Sequence, residues 1–517
     1  MRDSEQPIIA QLRASSALVR EWAQTELPDG RTLSQALVLQ GIPFWDAIAA
    51  ELAVYWVPQG IRNSQNKIAP LRSLLRWATA VRQGLPKRAF QPDSFARPSW
   101  PSSPVVLYLG FSPYMVRDVL QPLLCDSAWH GDVATVCLVT EGRGEFGAGV
   151  FRSVWADWNE SSRSLADRLA EELKEVASRI LQERAINALL SGVPTASKAA
   201  MRGVLRSLLR ERLVYLLPYA ALAKRVLAEH RPSVVVSSDV ADALARLYLG
   251  LARTAGIPSL ELQFGIYGDE AVEWGFSLSD WIAVWGDAPG RIIESHGVAA
   301  SRVKVTGSPR HDVTLAGVSK DISIVRRDCD LPVDQRIVLF ASTVWIRPYG
   351  GGEEAAALAA TQRAIFEEAD RAEDWLLVVK PHPLENPEQT KRLARHYKHI
   401  RWTDRRADIR HLILACDVFV SAGSTATMDA LISHRVCIDA SFPGWPFGDL
   451  FAKSGAVLVA RSPQELSLQL SRALRSPEET LARLEPARSA LLASWTAGPD
   501  GKAAERINAL TRQLAGL

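Results

Sequence analysis

Residues 417–432, DVFVSAGSTATMDALI, join a short apolar run to a helix-like segment through small polar residues, and they decide the fold class. The apolar run predicts a buried strand, and the apolar spacing that follows Thr425 predicts a helix. Residues 374–383, DWLLVVKPHP, contain another apolar strand that ends in polar residues. Buried strands that alternate with helices are typical of a parallel sheet with both faces covered, so the sequence predicts an α/β fold.

The same alternation extends in both directions and falls into two sets. The set that contains these two segments has strand-like runs at 336–343, 374–383, 400–404, 417–424 and 435–440. An earlier set has strand-like runs at 104–111, 132–140, 232–239, 259–265, 280–286 and 302–309. Because each set is long enough for a sheet of its own, we predict two Rossmann-like domains that face a cleft and meet near residues 315–330.

The chain has 517 residues, which is too long for one ordinary core. Residues 1–100 are helix-like and end in loop-like sequence, so we expect a helical N-terminal region there. We predict the first Rossmann-like domain at 101–320, with a helical insertion at about 160–230, and the second at 321–480. The remaining residues, 481–517, are predicted to be helices that cross back over both domains.

Composition narrows the functional class. A formal net charge of +3 argues against a dedicated nucleic-acid binder. The five cysteines form no CxxC pair, and we find no His/Cys cluster and no DxD motif in a plausible loop, so no metal and no cofactor are expected. No apolar run reaches the roughly 18 residues of a spanning helix, and the first residues do not resemble a signal peptide, so we expect a cytoplasmic protein.

One helix-like segment suggests a peripheral membrane contact. Arg202, Arg206 and Arg210 recur every four residues and so share one helix face, beside several leucines. Such a face suits an anionic lipid surface or a lipid-linked acidic glycan. The alternative interpretation is a solvated face that keeps the helix soluble.

Strand-to-helix loops are the place to search for a site, because ligands of open parallel sheets bind at the carboxyl ends of the strands. In WLLVVKPHP the strand ends in Lys380, Pro381, His382 and Pro383, and of these Lys380, His382 and Pro383 are candidates for binding a nucleotide and its phosphates. The two prolines disfavour helix and hold His382 at the strand tip, where its imidazole can donate a hydrogen bond to a phosphate oxygen. The alternative is a turn histidine that has no ligand.

The loop in residues 417–432 is the second candidate. Gly423, Ser424 and Thr425 precede a helix, and free backbone N–H groups beside small hydroxyl residues form an anion site. Asp429, one turn into the helix, is expected to accept hydrogen bonds from ribose hydroxyls. The alternative is that Ser424 or Thr425 only caps the helix. Ser342 and Thr343, which end another strand of the same set, are further candidates.

Carboxylates in the first set are candidates for acid–base chemistry. Asp239 ends the buried strand PSVVVSSD and is expected to face the cleft, where it suits a general base or a nucleophile. The alternative is that Asp239 caps the next helix. Glu141, which follows another strand, is a weaker candidate for a second carboxylate.

The order of several motifs resembles that of a known group of enzymes. The segments ELQFGIYG, SDWIAVWG, HGVAASRVKVTGSPRHD, VVKPHP, VSAGSTATMDALI and the terminal DGKAAERI, within about 100–510, resemble GT-B-fold bacterial transferases of capsule and lipopolysaccharide synthesis. The chain looks most like CMP-sugar users, the Kdo and sialic-acid transferases. It departs from related enzymes at Gln263-Phe264-Gly265, where those enzymes often have Gln-His-Gly.

This resemblance implies a role for each domain and for single residues. It implies that the second domain holds the donor nucleotide through His382-Pro383 and Ser424-Thr425. It implies that the first domain holds the acceptor and that an acidic residue there handles the sugar, for which Asp239 matches better than Glu141.

The expected function is therefore transfer of a sugar or sugar acid from a nucleotide-activated donor, with CMP-Kdo favoured, to a bacterial surface polysaccharide or its lipid-linked acceptor. The expected partners are that donor and a glycan or glycolipid, with possible peripheral contact to the inner membrane or to polysaccharide-assembly proteins. Three alternatives stay open at this stage, namely a UDP-sugar 2-epimerase, a CDP-glycerol-type glycerophosphotransferase and a carbohydrate-binding module.

Overall fold

A computed structural model describes residues 7–65, 100, 104–111, 115–124, 133–139, 150–343, 352–383, 385, 387–446 and 449–517. Most of its strands lie in the two sets that the sequence predicts. The strands of these residues are β1 (Val38–Leu39), β2 (Ile42–Pro43), β3 (Val105–Leu109), β4 (Ala134–Val139), β5 (Val150–Ser153), β6 (Val234–Ser237), β7 (Ser259–Leu262), β8 (Trp281–Val284), β9 (Val303–Val305), β10 (Arg336–Ala341), β11 (Trp375–Lys380), β12 (Ile400–Trp402), β13 (Val418–Ser421), β14 (Val436–Asp439) and β15 (Leu458–Val459).

The larger strands form two separate parallel sheets. The first sheet has the order β5-β4-β3-β6-β7-β8-β9, and the second has the order β12-β11-β10-β13-β14-β15. The chain builds each sheet outward from the centre. It adds strands on one side from β3 to β5, returns to the centre, and adds β6 to β9 on the other side; the second sheet grows in the same way from β10 to β12 and then from β13 to β15. This is the strand order of a doubly wound nucleotide-binding fold, and it confirms the prediction of two Rossmann-like sheets. The short strands β5 and β15 were not predicted.

Helices cover both sheets and build an additional layer on the first. The α-helices of the described residues are Pro7–Gln24, Leu33–Ala36, Phe44–Glu51, Val57–Gln65, Gln121–Leu124, Glu160–Ile180, Glu183–Leu189, Thr195–Ser207, Leu213–His230, Ala243–Thr254, Asp287–Ser295, Pro309–Gly317, Ile322–Asp328, Gly352–Arg371, Pro387–Ala394, Ile409–Ala415, Ala426–Ile432, Asp449–Ser454, Pro463–Arg475, Pro477–Thr496 and Ala503–Ala515. Segments of π-helix occur at Leu52–Trp56, Val116–Leu120 and Leu208–Arg212, and 3₁₀-helix at Val154–Asp157, Val272–Phe276 and Ala300–Arg302.

Alternate residues of the central strands face two different cores. In β3, Leu107 and Leu109 join one apolar cluster, whereas Val106 and Tyr108 join another on the opposite face of the sheet. In β10 of the second sheet, Ile337 and Leu339 likewise join one apolar cluster, and Val338 joins another on the opposite face. Because successive side chains of a strand point to opposite faces, apolar residues at every position are what a sheet covered on both sides requires.

The N-terminal helices and the insertion near 160–230 form one layer. Apolar residues from both regions belong to the same cluster as one face of the first sheet. A buried ion pair links them, with the Arg212 guanidinium 2.7 Å from Glu51, whose carboxylate also accepts a hydrogen bond from the Trp56 indole at 2.7 Å. This layer therefore belongs to the first domain.

The environment of the helix face that carries Arg202, Arg206 and Arg210 favours the interpretation of a solvated face over that of a membrane contact. The leucines beside the arginines, Leu205, Leu208 and Leu209, are buried in the core of this layer rather than presented to a lipid. The Arg202 guanidinium lies 3.3 Å from a carboxylate oxygen of Glu183. No helix of the described residues combines the length and the apolar character that crossing a membrane requires.

The C-terminal helices contact both domains. The helix Pro477–Thr496 packs against the second sheet's core and against the helix Asp287–Ser295 of the first domain. At this junction Gly286 is required, because a Cβ there would lie 2.5 Å from the Ser494 carbonyl oxygen. The last helix, Ala503–Ala515, packs against the first sheet through Ile507. The chain thus crosses back over the first domain after completing the second.

Candidate functional site

The loops at the carboxyl ends of the two sheets touch each other. The backbone N–H of Ile266, after β7, donates a hydrogen bond to the Thr425 hydroxyl, after β13, over 3.2 Å. A Cβ on Gly265 would also lie 3.2 Å from that hydroxyl, so the glycine allows the close approach. The predicted donor loop of the second domain therefore faces the first-domain loop that follows Gln263.

Asp239 is partly exposed at the carboxyl end of β6. Its Oδ1 accepts hydrogen bonds from the backbone N–H groups of Ala241 and Asp242, each over 3.1 Å. The cap of the following helix is Asp242, whose side chain accepts from the Leu244 N–H at 2.9 Å. The interpretation of Asp239 as the helix cap is therefore wrong, and its second carboxylate oxygen is open to another role.

The protein raises the pKa of this carboxyl group. Burial is the main cause, followed by the nearby Asp242 carboxylate, and together they raise the pKa of Asp239 to about 7. Burial likewise raises the pKa of Asp242 to about 6. Carboxyl groups that titrate near neutral pH can both accept and return a proton under physiological conditions.

Two further carboxyl groups were not predicted from the sequence, and one of them, Glu273, lies within electrostatic range of Asp239. Burial, with the charges of Glu270 and Asp239, raises the pKa of Glu273 to about 8, and burial also raises the pKa of Glu270. Glu270 accepts a hydrogen bond from the Gly268 N–H at 2.9 Å. Their only sequence signal was a position in GDEAVEWG, shortly after the carboxyl end of β7.

His382 is partly exposed at the carboxyl end of β11, as predicted from its two flanking prolines. Its backbone N–H donates to a Glu385 carboxylate oxygen at 3.0 Å, and the Glu385 N–H donates back to the His382 carbonyl at 2.9 Å. Burial and the Lys380 charge lower the pKa of His382 to about 4. The imidazole is therefore neutral near pH 7 and donates through one ring nitrogen. Pro383 follows, also partly exposed.

Lys380 does not fit the predicted contact with the donor phosphate. Its side chain is buried, and its ammonium group donates to the carbonyl oxygens of Pro381 at 2.8 Å and Arg405 at 2.7 Å. Burial, followed by the charge of Arg117, lowers the pKa of Lys380 to about 8. In this structure Lys380 supports the loop that presents His382.

The Gly423–Thr425 loop leads directly into the helix Ala426–Ile432. Gly423 has a φ of 71°, a left-handed conformation that favours glycine. The Ser424 hydroxyl accepts from the Ala426 N–H at 3.3 Å, whereas the Thr425 side chain makes no capping bond. Thr425 instead joins the two domains through Ile266, so of the two residues proposed as caps only Ser424 bonds a helix N–H. Phosphate binding by this loop stays a prediction.

Asp429 does not fit the predicted contact with a ribose. Its side chain is fully buried, one oxygen accepts from the Arg310 guanidinium at 2.7 Å, and the other accepts from the Thr314 hydroxyl at 2.8 Å. Arg310 also donates to Asp118 at 2.9 Å. The side chain therefore faces the helix Pro309–Gly317 and connects the two domains.

The remaining predicted positions contribute less. Ser342 is buried, and its hydroxyl accepts from the Gln362 side chain at 3.3 Å, whereas Thr343 is partly exposed. Glu141 lies outside the described residues. Within the part of the chain that the structure describes, no group of three or more His, Cys, Asp or Glu side chains is arranged to hold a metal ion.

Comparison with known proteins gives one family match. Residues 291–435 match the sequence model of a family described as CDP-Glycerol:Poly(glycerophosphate) glycerophosphotransferase. The match covers the loops after β11 and β13, and it supports the expectation of a transferase enzyme. No curated protein matches the chain.

Three solved structures of similar architecture align with most of the chain. The UDP-GlcNAc 2-epimerase from Neisseria meningitidis aligns with 12% identity and a TM-score of 0.51, over 79% of this chain and 99% of the epimerase. MnaA from S. aureus, solved with UDP, aligns with 14% identity and a TM-score of 0.50, over 80% and 98% of the two chains. The wall teichoic acid polymerase TagF aligns with 12% identity and a TM-score of 0.47, over 88% and 96%. The two parallel sheets and the first two of these alignments confirm the predicted GT-B-like fold.

Proposed function

We propose that this protein is a GT-B-type transferase that moves a group from a cytidine-nucleotide donor to a growing bacterial surface polymer. The observation that carries the proposal is the family match over 291–435, because this range includes the predicted donor loops after β11 and β13, the second of which contacts the first domain through Thr425. The residues predicted to bind the donor, His382 and Gly423–Thr425, thus lie inside the range that the family model matches.

The donor side of the proposed site consists of His382 and the Gly423–Thr425 loop. A neutral imidazole, the Ser424 hydroxyl and the backbone N–H groups of this loop are all donors for phosphate oxygens. A cytidine nucleotide bound here would place its phosphate opposite the loop of Gly265 and Ile266. The group to be transferred would then face the first-domain carboxylates.

Asp239 is the proposed general base. In the transfer step an acceptor hydroxyl oxygen forms a bond to the donor's reacting atom, while the bond from that atom to the leaving phosphate oxygen breaks. The hydroxyl proton passes to the Asp239 carboxylate, and the nucleotide leaves with the electron pair. A pKa of about 7 makes roughly half of the Asp239 groups available as base at neutral pH.

The transferred group is either a sugar acid or glycerol phosphate. The sequence resemblance favours a CMP-activated sugar acid such as Kdo, and the matched family's description names CDP-glycerol. A lipid-linked acceptor of either kind would bring the protein to the inner face of the membrane.

A second candidate function is a sugar-nucleotide 2-epimerase. It is favoured by the group of partly exposed carboxylates, Asp239, Glu270 and Glu273, whose pKa values are all raised. Epimerisation needs acid–base groups that remove and return a proton, and it needs no acceptor.

A donor screen separates the two functions. Purified protein is incubated with CMP-Kdo, CDP-glycerol and UDP-GlcNAc, with and without a lipid-linked acceptor, and the products are followed by ³¹P and ¹³C NMR. We expect release of CMP from one cytidine donor, faster with acceptor. Epimerised UDP-sugar in the absence of acceptor, with no CMP released from either cytidine donor, would show the isomerase instead.

A further inference from the structure

Arg246 is a buried cation that binds three backbone carbonyl groups from three different elements. It lies on the helix Ala243–Thr254, and its residue is 1% exposed. Its Nε donates to the Asp46 carbonyl at 2.8 Å, its Nη1 to the Val240 carbonyl at 2.9 Å, and its Nη2 to the Phe276 carbonyl at 2.8 Å.

Two of these carbonyl groups belong to the segments that carry the candidate acids. Val240 directly follows Asp239, and Phe276 ends the 3₁₀-helix Val272–Phe276, which contains Glu273. The third carbonyl, that of Asp46, belongs to the helix Phe44–Glu51 of the N-terminal region. The planar guanidinium holds its donors in one fixed fork, so it fixes the three segments relative to one another.

The charge of Arg246 also lies within electrostatic range of Asp239. Burial lowers the pKa of Arg246, while the carboxylates of Glu261, Asp46 and Asp239 oppose this effect. A buried guanidinium whose bonds go to neutral carbonyl groups costs more than an apolar side chain of similar volume would. That cost is offset here by the three carbonyl groups that the guanidinium satisfies, in the helix Phe44–Glu51, the segment after β6 and the 3₁₀-helix Val272–Phe276.

We propose that Arg246 is a positioning residue that holds the Asp239 loop and the Glu273 turn in the arrangement needed for proton transfer. This inference rests on the proposed function of Asp239 as general base. The other ionisable groups within electrostatic range of Asp239 are Asp242, Glu261 and Glu273. A displacement of one reacting group by about 1 Å reduces turnover by about 10²-fold, so a loosened fork should act on turnover.

The test compares two variants with a matched control. Arg246→Met removes the fork and the charge, and Arg246→Lys keeps the charge with a different donor geometry. The control is Arg326→Met, since Arg326 is also buried and donates to the Ala415 carbonyl at 2.9 Å and the Val333 carbonyl at 2.8 Å. These partners precede strands of the second sheet, at the end opposite the proposed site.

Activity gives the first comparison. We expect Arg246→Met to lose roughly ten- to a hundred-fold in turnover, with nucleotide affinity within about twofold of the wild type, and Arg246→Lys to recover part of the loss. The pH midpoint assigned to Asp239 should move in Arg246→Met and stay in place in Arg326→Met. An equal loss of turnover and an unmoved midpoint in both Met variants would overturn the proposal, as would a parallel loss of nucleotide affinity.

Hydrogen exchange gives a comparison that needs no activity. The backbone amides of peptides that cover 238–242 and 272–277 should exchange faster in Arg246→Met than in the wild type, but not in Arg326→Met. If Arg246→Met does not fold, Arg246→Lys takes its place in this comparison. Unchanged exchange in both peptides would overturn the positioning role. If the wild type shows no turnover with any donor, the proposed function fails, and this experiment still decides whether Arg246 fixes the two segments.

Discussion

Asp429 of the second domain is bonded to Arg310 of the helix Pro309–Gly317, with 2.7 Å between Oδ2 and Nε and both side chains buried. Asp429 lies one turn inside the helix that follows the Gly423–Thr425 loop. Arg310 also binds Asp118, in the segment that follows β3 of the first sheet. The helix behind the proposed donor loop is therefore held to the first domain by a buried network of charges.

Loss of this network should destabilise the protein strongly. Removing one partner of a buried ion pair leaves the other charge inadequately compensated, which costs about 3–5 kcal/mol. We expect Asp429→Ala to lower the free energy of unfolding by about this amount in urea denaturation. Thr314→Val is the control, because it removes only a neutral hydroxyl bond to the same carboxylate and should cost about 1–3 kcal/mol. A loss for Asp429→Ala no larger than that for Thr314→Val would contradict the assignment.

Asp239→Asn should abolish transfer while nucleotide binding persists. The amide keeps the size and one acceptor oxygen for the Ala241 and Asp242 N–H groups, but it has no basicity. Turnover should fall on the order of 10²–10⁴-fold, as expected for the loss of a general base. Asp242→Asn is the matched control, since asparagine caps a helix as well as aspartate does. The two variants are compared by turnover and by calorimetric binding of CMP, and equal turnover in both would argue against Asp239 as the base.

The activity of the wild type should depend on pH in a definite direction. A general base works in its ionised form, so turnover should rise with pH through a midpoint near 7, the pKa of Asp239. Glu273, with a pKa of about 8, stays largely protonated at that pH and so remains available as an acid. A profile that falls with rising pH between 6 and 8 would assign the limiting group to an acid instead.

The alternation of apolar strands with helices was sufficient to predict the central strands of both sheets, because a parallel sheet covered on both faces buries nearly every residue of those strands. The individual side chains at the strand ends were less predictable. Lys380 is the last residue of β11 and lies two positions before His382. Its amine nevertheless donates to backbone carbonyl groups, because the chain brings the Arg405 carbonyl, 25 positions later, next to it. Asp429 was predicted to contact a ligand because its actual partner, Arg310, lies 119 positions earlier, and no local sequence pattern indicates that pairing.

Glu270 and Glu273 show a different limit. They lie in an irregular segment in which no periodicity marks the residues that face the site. What distinguishes them is burial, which for Glu273 occurs within electrostatic range of Asp239, and this burial arises only when the chain folds. The sequence placed Asp239 at a strand end and could not choose between base and helix cap, because the choice depends on whether the helix begins at residue 240 or 243.

The raised pKa of Asp239 should make the folded protein less stable as pH rises. The carboxyl group has a pKa of about 7 when folded and about 3.9 when unfolded, so between these values the folded state binds more protons. The free energy of unfolding therefore decreases from pH 4 to pH 7 through this group. Asp239→Asn lacks the effect, so in urea it should match the wild type at pH 4.5 and exceed it at pH 8, on the order of 1–3 kcal/mol. A variant less stable than the wild type at pH 8 would contradict this.

His382 should contribute to nucleotide affinity without a charge of its own. A hydrogen bond from its imidazole to an ionised phosphate contributes about 1.5–3 kcal/mol, so His382→Ala should weaken CMP binding roughly ten- to a hundred-fold. Ser424→Ala should weaken it less, because the backbone N–H groups of the loop remain. Since the pKa of His382 is about 4, its contribution should be constant between pH 5.5 and 8. Lys380→Met is the control for the loop, since Lys380 contacts only its own domain's carbonyl groups, and it should reduce stability more than affinity. Calorimetric titration of CMP at three pH values measures the affinities, and urea denaturation measures the stability of Lys380→Met. Unchanged affinity in a folded His382→Ala protein would separate the histidine from the donor.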